Sequence, residues 1–310
     1  MTIYLTGSLA YDRIMSFPGI FGDHILPQKI HALNVCFLID SVDERLGGCG
    51  GNIAHTLNLL GEKPVIVTCV GRDFDRYRTV LEAKALSLEG LRHVPEELTA
   101  GCHIITDKEN NQITCFNPGA MRHACDYAFT DAGSGDWAMV SPANAVDMRE
   151  HTRIHKEKGV HCIFDPGQQI PALSGGHLAE AIAGAHMLIC NEYELELVRK
   201  STGKTHAELQ ELTPVIITTF GAEGARIEEN GRETRIRAVP PKQVADPTGA
   251  GDAFRGGLLK GLVSGLPLVE AARMGATAAS FCVECLGTQA HNYTIEEFQA
   301  RHTIFFDRSP

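Results

Sequence analysis

The sequence predicts one α/β domain: a mostly parallel sheet covered by helices on both faces, a three-layer α/β/α arrangement, plus a small β-rich lid made of two inserted segments. From residue 137 onward short apolar runs alternate with helix-compatible ones, the rhythm of a parallel sheet with crossover helices. The strand candidates are nearly continuous in apolar residues, as strands buried on both faces are. Two stretches, 13–45 and 99–122, break that rhythm and show no helical period. The body then comprises 1–12, 46–98 and 123–310, with the two excursions as the lid.

In chain order, residues 3–8 read as a buried opening strand that ends in a Gly7-Ser8 turn. Over 13–46 only short apolar pieces appear around Pro18 and Pro27. Gly50 to Leu60 is small and apolar at helical spacing, with Gly61 as its C-terminal stop. A strand at 65–70 and a helix at 73–86 follow. Residues 102–106 and 113–116 flank the polar Lys-Glu-Asn-Asn-Gln turn and predict a hairpin in which Cys102 faces Phe116. Strands are expected at 137–140, 160–164, 186–189 and 215–219, interleaved with helices at 146–158, 178–185 and 192–200. A strand pair at 225–237 and three helices at 251–263, 267–283 and 295–301 close the chain.

Charge narrows the partners. The chain of 310 residues carries 28 Lys and Arg against 38 Asp and Glu, a net charge of −10. An acidic balance without basic runs argues against a nucleic-acid or anionic-membrane surface, although a local positive site can still hold a nucleotide-sized anion. No apolar run approaches the ~20 residues of a membrane span, and the N-terminus lacks a signal-peptide pattern. The ten cysteines lie between Cys36 and Cys285 without framework spacing, which fits buried, reduced thiols in a cytoplasmic enzyme.

The strongest chemical signal is Asp246-Pro247-Thr248-Gly249-Ala250-Gly251-Asp252 at the head of a helix-compatible run. Three small residues let successive backbone N–H groups converge on an anion at a helix N-terminus. Asp252 beside it could accept a proton from an attacking hydroxyl, and phosphoryl transfer needs those two elements together. A plain glycine turn with a helix-capping aspartate is the alternative. A second segment, Gly47-Gly48-Cys49-Gly50-Gly51-Asn52-Ile53-Ala54, opens the 50–60 helix. Its glycines permit close backbone approach, and Asn52 offers donors and an acceptor to a hydroxylated ring.

Together the two segments resemble the two signature patterns of the ribokinase-like (PfkB) family of carbohydrate and nucleoside kinases. The resemblance implies a ribokinase-like fold and ATP with Mg²⁺. It makes Asp252 the catalytic base, and Gly249, Ala250 and Gly251, with the Asp252 backbone, the anion hole. By the same resemblance Asp12, Ser8, Gly48 and Asn52 bind the acceptor's sugar. Asn191 and Glu194, in Asn191-Glu192-Tyr193-Glu194, position phosphates and the magnesium with its waters, and Thr219, Gly221 and Gly224 contact ATP. Singly, Asn191 also reads as a helix N-cap, Asp12 as a loop cap and Gly221 as a hairpin closure.

Within the family the chain is most similar to bacterial adenosine kinases. The likeness runs through Phe17-Pro18-Gly19, Pro118-Gly119-Ala120-Met121, Asp165-Pro166-Gly167-Gln168-Gln169 and Gly287-Thr288-Gln289. It implies 5′-phosphorylation of adenosine to AMP, with purine salvage as the role. Phe116 could stack on the base or pack the lid, and Gln168 or Gln169 could pair with the purine edge. Other nucleosides, a sugar, or an inactive nucleoside-binding protein are the rivals. A homodimer through unpaired lid strands is a further expectation.

Four signals carry no function. Ser201-Thr202-Gly203-Lys204-Thr205 imitates a P-loop but lacks its first glycine. Cys282 and Cys285 form a lone pair, expected to pack structurally. His151 and His155 are expected on an exposed helix face. The sequon at Asn292 means little without secretion.

Overall fold

Side chains along each strand of the computed structural model, which describes residues 1–306, alternate between two separate cores. The first half runs β1 (Ile3–Thr6), β2 (Ala10–Ser16), the short α1 (Phe21–His24), β3 (Ser41–Gly47), α2 (Cys49–Leu59), β4 (Val65–Val70), α3 (Asp75–Ala83), β5 (Leu91–His93), β6 (Ala100–Thr106) and β7 (Gln112–Asn117). The second runs β8 (Trp137–Val140), α4 (Ala145–Glu157), β9 (His161–Phe164), α5 (Gly175–Ile182), β10 (Met187–Asn191), α6 (Glu192–Thr202), α7 (His206–Leu212) and β11 (Val215–Thr219). It closes with β12 (Ala225–Glu229), β13 (Arg232–Ile236), α8 (Ala250–Val263), α9 (Leu268–Cys282) and α10 (Ile295–Phe306).

Nine strands form the main sheet in the order β13-β12-β11-β10-β9-β8-β1-β4-β5. All neighbours from β5 to β11 are parallel, and β12 and β13 add an antiparallel edge. On one face Leu5, Ile163 and Ile189 pack with Ile53 and Leu57 of α2, Tyr77 of α3, Phe254 of α8 and Ala272 of α9. On the other, Phe164 and Leu188 pack with Met148 of α4, Leu178 of α5, Val198 of α6 and Leu209 of α7. The period of two along a strand thus yields the three layers. Strand order reverses at β1, with β4 on one side and β8 on the other. Crevices at such reversal points, beyond the strands' carboxyl ends, are where open α/β sheets bind ligands.

A second sheet of four strands, β3-β2-β6-β7, stands over that end. β2 pairs antiparallel with β3 and parallel with β6, and β6 continues into the expected hairpin with β7. Cross-strand register places Arg45, Asp12, Cys102 and Phe116 in one row on one face of this sheet, so Cys102 does face Phe116. Between β2 and β3 the chain is held by a small aromatic cluster of Phe17, Phe21 and Phe37, with centroids 4.8 to 5.7 Å apart.

Three elements, the short α1, β5 and α7, go beyond the sequence expectation, and two expectations fail. β5 spans three residues, too few to show a pattern, and α7 is marked mainly by its capping box, with the Thr205 hydroxyl accepting from the Glu208 amide and the Glu208 carboxylate from Thr205. His151 and His155 are not on an exposed face: they are 3% and 0% exposed. α4 turns that face inward against β1, where His151 Nδ1 lies 2.9 Å from Thr6 Oγ1 and His155 packs on Phe129 at 4.4 Å. Gly203 ends α6 in the left-handed region and Thr205 caps α7, so the P-loop-like segment is an ordinary helix-to-helix turn. Among the described residues no helix is long and apolar enough to cross a membrane. All ten cysteines are free thiols; Cys282 is buried, whereas Cys36 and Cys115 are exposed rather than buried as expected.

Candidate active site

The site is built on the N-terminus of α8. Gly249 precedes this helix at φ +81°, a left-handed conformation that favours glycine, and a Cβ there would also lie 2.9 Å from the Thr288 side chain. No side chain caps the helix. The Ala250 amide closes a turn by donating to the Pro247 carbonyl at 3.2 Å. The amides of Gly249, Gly251 and Asp252 donate to no acceptor among the described residues. Of the four backbone groups expected to cradle an anion, Ala250 is therefore turned to local structure and three remain. The loop ahead is fixed by Asp246, whose carboxylate accepts from Thr248 N at 2.9 Å and from Gly287 N at 3.0 Å.

Asp252 meets α2 across a glycine seam. A Cβ on Gly256 of α8 would lie 2.7 Å from Thr56 Cβ of α2, so only glycine lets the two helices approach this closely. That approach puts Asn52 Nδ2 2.8 Å from Asp252 Oδ2, to which it donates. Gln289 Nε2 donates to Asn52 Oδ1 at 3.1 Å and to the Tyr77 hydroxyl at 2.7 Å; that hydroxyl donates to the Gly47 carbonyl at 2.9 Å. A hydrogen-bonded chain thus fixes which edge of the Asn52 amide meets the carboxylate. Burial pushes the Asp252 pKa up to about 6, against the opposing pull of Arg255 and the Asn52 hydrogen bond.

Arg255, one turn into α8, is buried at 6% exposure. Its Nη2 donates to Asp165 Oδ1 at 2.6 Å and its Nη1 to the Gly251 carbonyl at 3.1 Å. Asp165 ends the run of β9 and is 1% exposed. Asp165 and Gln289 fall in segments that carry the family likeness but have no role assigned from it, and Arg255 and Tyr77 do not stand out in a single sequence. The adjacency of Arg255 to the Gly249–Asp252 motif and of Asp165 to Gln168 are the signals that could have raised them.

Of the remaining acceptor-side candidates, Ser8 and Gly48 adjoin the start of α2 and Asp12 adjoins Gly47, whereas no contact among the described residues ties Phe116, Gln168 or Gln169 to Asp252. Ser8 follows β1 and is buried, its Oγ accepting from Cys49 N at 3.1 Å, so it shapes the entry to α2. Gly48, at φ +86°, lies so close to the Ser8 carbonyl that a Cβ would clash with it. Asp12 stands in the lid row between Arg45 and Cys102; its carboxylate makes no hydrogen bond among the described residues, and its pKa is pushed up to about 6 by burial and then by Asp246. Phe116 lies on the edge strand β7, 50% exposed. Gln168 and Gln169 stand in the turn after β9, exposed and half-buried respectively.

On the opposite side of α8, a cavity of about 460 Å³ is lined by Thr219, Gly221, Gly224, Pro240, Val244 and Phe254, and reaches Ala250 and Gly251. Its walls are almost wholly apolar; the hydroxyl of Ser280, also on the wall, is taken up by Thr277 O and Arg301. Asn191 and Glu194 form a reciprocal capping box at the start of α6: Glu194 N donates to Asn191 Oδ1 and Asn191 N to Glu194 Oε2, each at 2.8 Å. Both therefore have a structural task, and Glu194 Oε1 and Asn191 Nδ2 remain for a ligand. Burial raises the Glu194 pKa. No group of three or more His, Cys, Asp or Glu among the described residues could hold a metal ion by itself. That donor set fits a magnesium ion carried by a nucleotide's phosphates and touched, directly or through water, by one carboxylate.

Comparison with known proteins bears on the family and the fold. The profile of the pfkB family carbohydrate kinases matches residues 13–295. A nucleoside kinase of Methanocaldococcus jannaschii is 31% identical over 267 residues, 85% of this chain and 87% of that protein. The solved structure of the Burkholderia thailandensis nucleoside kinase in complex with inosine superposes with a TM-score of 0.85 at 36% identity, covering 100% of this chain and 99% of that one. The ribokinase of Thermotoga maritima shares the fold, with a TM-score of 0.81 at 24% identity over 97% of this chain and 99% of that one. The architecture is ribokinase-like.

Proposed function

The chain belongs to the pfkB family of carbohydrate kinases, and we propose that within it the chain is a purine nucleoside kinase that transfers the γ-phosphoryl group of ATP to the 5′-hydroxyl of adenosine. The observation that carries this reading is the junction at residues 249–252. Unpaired amides at a helix N-terminus open onto an apolar cavity sized for a nucleotide base, and a carboxylate stands beside them.

In this account the ATP base and ribose lie in the cavity at Thr219, Gly221 and Gly224, with the γ-phosphate at the amides of Gly249, Gly251 and Asp252. Asp12, Gly48 and Asn52 hold the acceptor's ribose, and the lid row brings Phe116 to the base, whose edge Gln168 or Gln169 reads. The 5′-hydroxyl attacks in line; its O–H proton goes to Asp252 as the new P–O bond forms and the bond to ADP breaks. With a pKa near 6, Asp252 is mostly ionised at neutral pH and ready to accept that proton. Magnesium, when bound with ATP, would neutralise phosphate charge, and Asn191 Nδ2 and Glu194 Oε1 are the groups that would hold it or its waters. Lid closure excludes water, the competing nucleophile.

A second reading takes inosine as the acceptor. It is favoured by the inosine bound to the Burkholderia relative. The exposed edges β3 and β7, with Val42 58% exposed, support a homodimer through the lid, and the free thiols support a cytoplasmic setting. The test is an acceptor panel of adenosine, inosine, guanosine, cytidine, ribose and fructose with ATP. A 5′-monophosphate formed fastest from adenosine is expected. Equal or faster turnover of ribose or fructose overturns the nucleoside reading, and inosine ahead of adenosine selects the second.

A further inference from the structure

We propose that Arg255 is a positioning residue for phosphoryl transfer: clamped by Asp165, it donates to the Gly251 carbonyl and so polarises and steadies the peptide whose other end, the Asp252 amide, faces the phosphate. The proposal rests on the kinase reading and adds to it a role for two side chains outside the reacting groups.

The argument starts from the peptide between Gly251 and Asp252. No peptide bond here is cis, so its C=O and N–H point in opposite directions. Arg255 Nη1 donates to the Gly251 oxygen at 3.1 Å. The Asp252 N–H on the far side of the same plane has no acceptor among the described residues. The helix ladder already sets the direction of this peptide, and the cation at its carbonyl end reinforces it. It also polarises the peptide, which makes that N–H a stronger donor to an anion.

A free arginine could not do this, because its long side chain would need ordering at each turnover. Arg255 is ordered in advance: Nη2 donates to Asp165 Oδ1 at 2.6 Å, with side-chain exposures of 8% and 2%. Asp165 is fixed in turn by the donation of its own amide to the Val140 carbonyl at 2.8 Å, at the ends of β8 and β9. The clamp thus ties the cradle to the rigid carboxyl end of the sheet. A burial this deep for an ion pair is weak support for stability, since desolvation offsets the attraction, so a role at the neighbouring cradle is the better account of its presence.

The same arrangement sets the charge seen by Asp252. The groups that face it are Arg255 from its own helix, Asn52 and Cys49 from α2, Asp165 from the end of β9 and Cys282 of α9; Glu194 of α6 acts on Arg255. Arg255 favours the ionised form of Asp252 and Asp165 opposes it. Removing one or the other must therefore displace the acid limb of the rate profile in opposite directions, which a purely structural role would not do.

The experiment compares Arg255→Met, Arg255→Lys and Asp165→Asn with the unmodified enzyme, on whichever panel acceptor that enzyme turns over best. A wrong acceptor and an idle Arg255 are then separate results. Arg255→Met is expected to lower kcat about tenfold or more with the acceptor KM within about threefold, a loss confined to the transition state. Methylguanidinium added to that variant should restore part of the rate, and Arg255→Lys should lose less. The acid limb of kcat should move up in Arg255→Met and down in Asp165→Asn. Should Arg255→Met fail to fold, the Arg255→Lys rate and the Asp165→Asn limb decide. Unchanged kcat in the folded Arg255 variants, or limbs that move together or not at all, overturns the proposal.

Discussion

Replacing Gln289 by Leu should damage catalysis as well as stability, because Gln289 touches no reacting group yet orients one that does. Its Nε2 donates to Asn52 Oδ1 and to the Tyr77 hydroxyl, at 3.1 and 2.7 Å. Asn52 is 5% exposed, so its Oδ1 would find no replacement donor in solvent. Two hydrogen bonds at roughly 1 kcal/mol each place about 2 kcal/mol at stake. The Asn52 amide would then be held by Asp252 alone and could present its oxygen to the carboxylate, which repels it. If the whole amount appears in the transition state, kcat falls about 30-fold. Initial rates at saturating acceptor, read beside thermal unfolding, separate this from general loosening. A double-mutant cycle sharpens it: once Asn52→Ala has removed the orienting target, Gln289→Leu should cost little more. A kcat within twofold of the unmodified enzyme, or losses that multiply independently in the double variant, would refute the orienting chain.

Two other expectations follow from close contacts and buried histidines. In Gly47→Ala the new Cβ would overlap the Asp12 carboxylate, so the acceptor KM should rise about tenfold or more with kcat changed less, the mark of lost ground-state binding; an unaltered KM would remove Asp12 from the acceptor site. His155 is fully buried and both its ring nitrogens lack partners among the described residues; burial first, then His151, holds its pKa down at about 3. Because the folded value lies below the unfolded one, its stability contribution is present above about pH 6.5 and is lost as pH falls toward 3, reaching roughly 2 kcal/mol at pH 5. The unfolding temperature should therefore drop less between pH 7 and pH 5 in His155→Leu than in the unmodified chain, and equal drops would show that His155 is not the group being protonated.

The legibility of the fold follows from how local each signal is. The strands at 65–70, 137–140 and 215–219 coincide with β4, β8 and β11, because apolar runs bounded by turns need no tertiary context. The glycines of 249–251 mark a helix start by their own chemistry. What the sequence hides depends on distant pairing. Asp165 and Arg255 are 90 residues apart, and Gln289 and Asn52 are 237 apart. Their meeting is a product of sheet order and helix packing, not of any local pattern. The burial of His151 and His155 has the same origin: a histidine pair on a helix reads as exposed until Phe129 and β1 are found against it. Asn191 and Glu194 show the converse, since their spacing suits both a capping box and a phosphate site, and the coordinates realise the first while leaving one oxygen and one amide for the second.

Asp252→Asn tests the core of the mechanism most directly, with turnover and acceptor binding measured on the same preparation. The carboxamide keeps the shape and can still pair with Asn52, but it cannot take the proton. Turnover should fall at least about a hundredfold, the usual scale for loss of a general base, while adenosine binding by calorimetry stays within about threefold. Turnover close to that of the unmodified enzyme would contradict a proton-accepting carboxylate beside the helix-end amides.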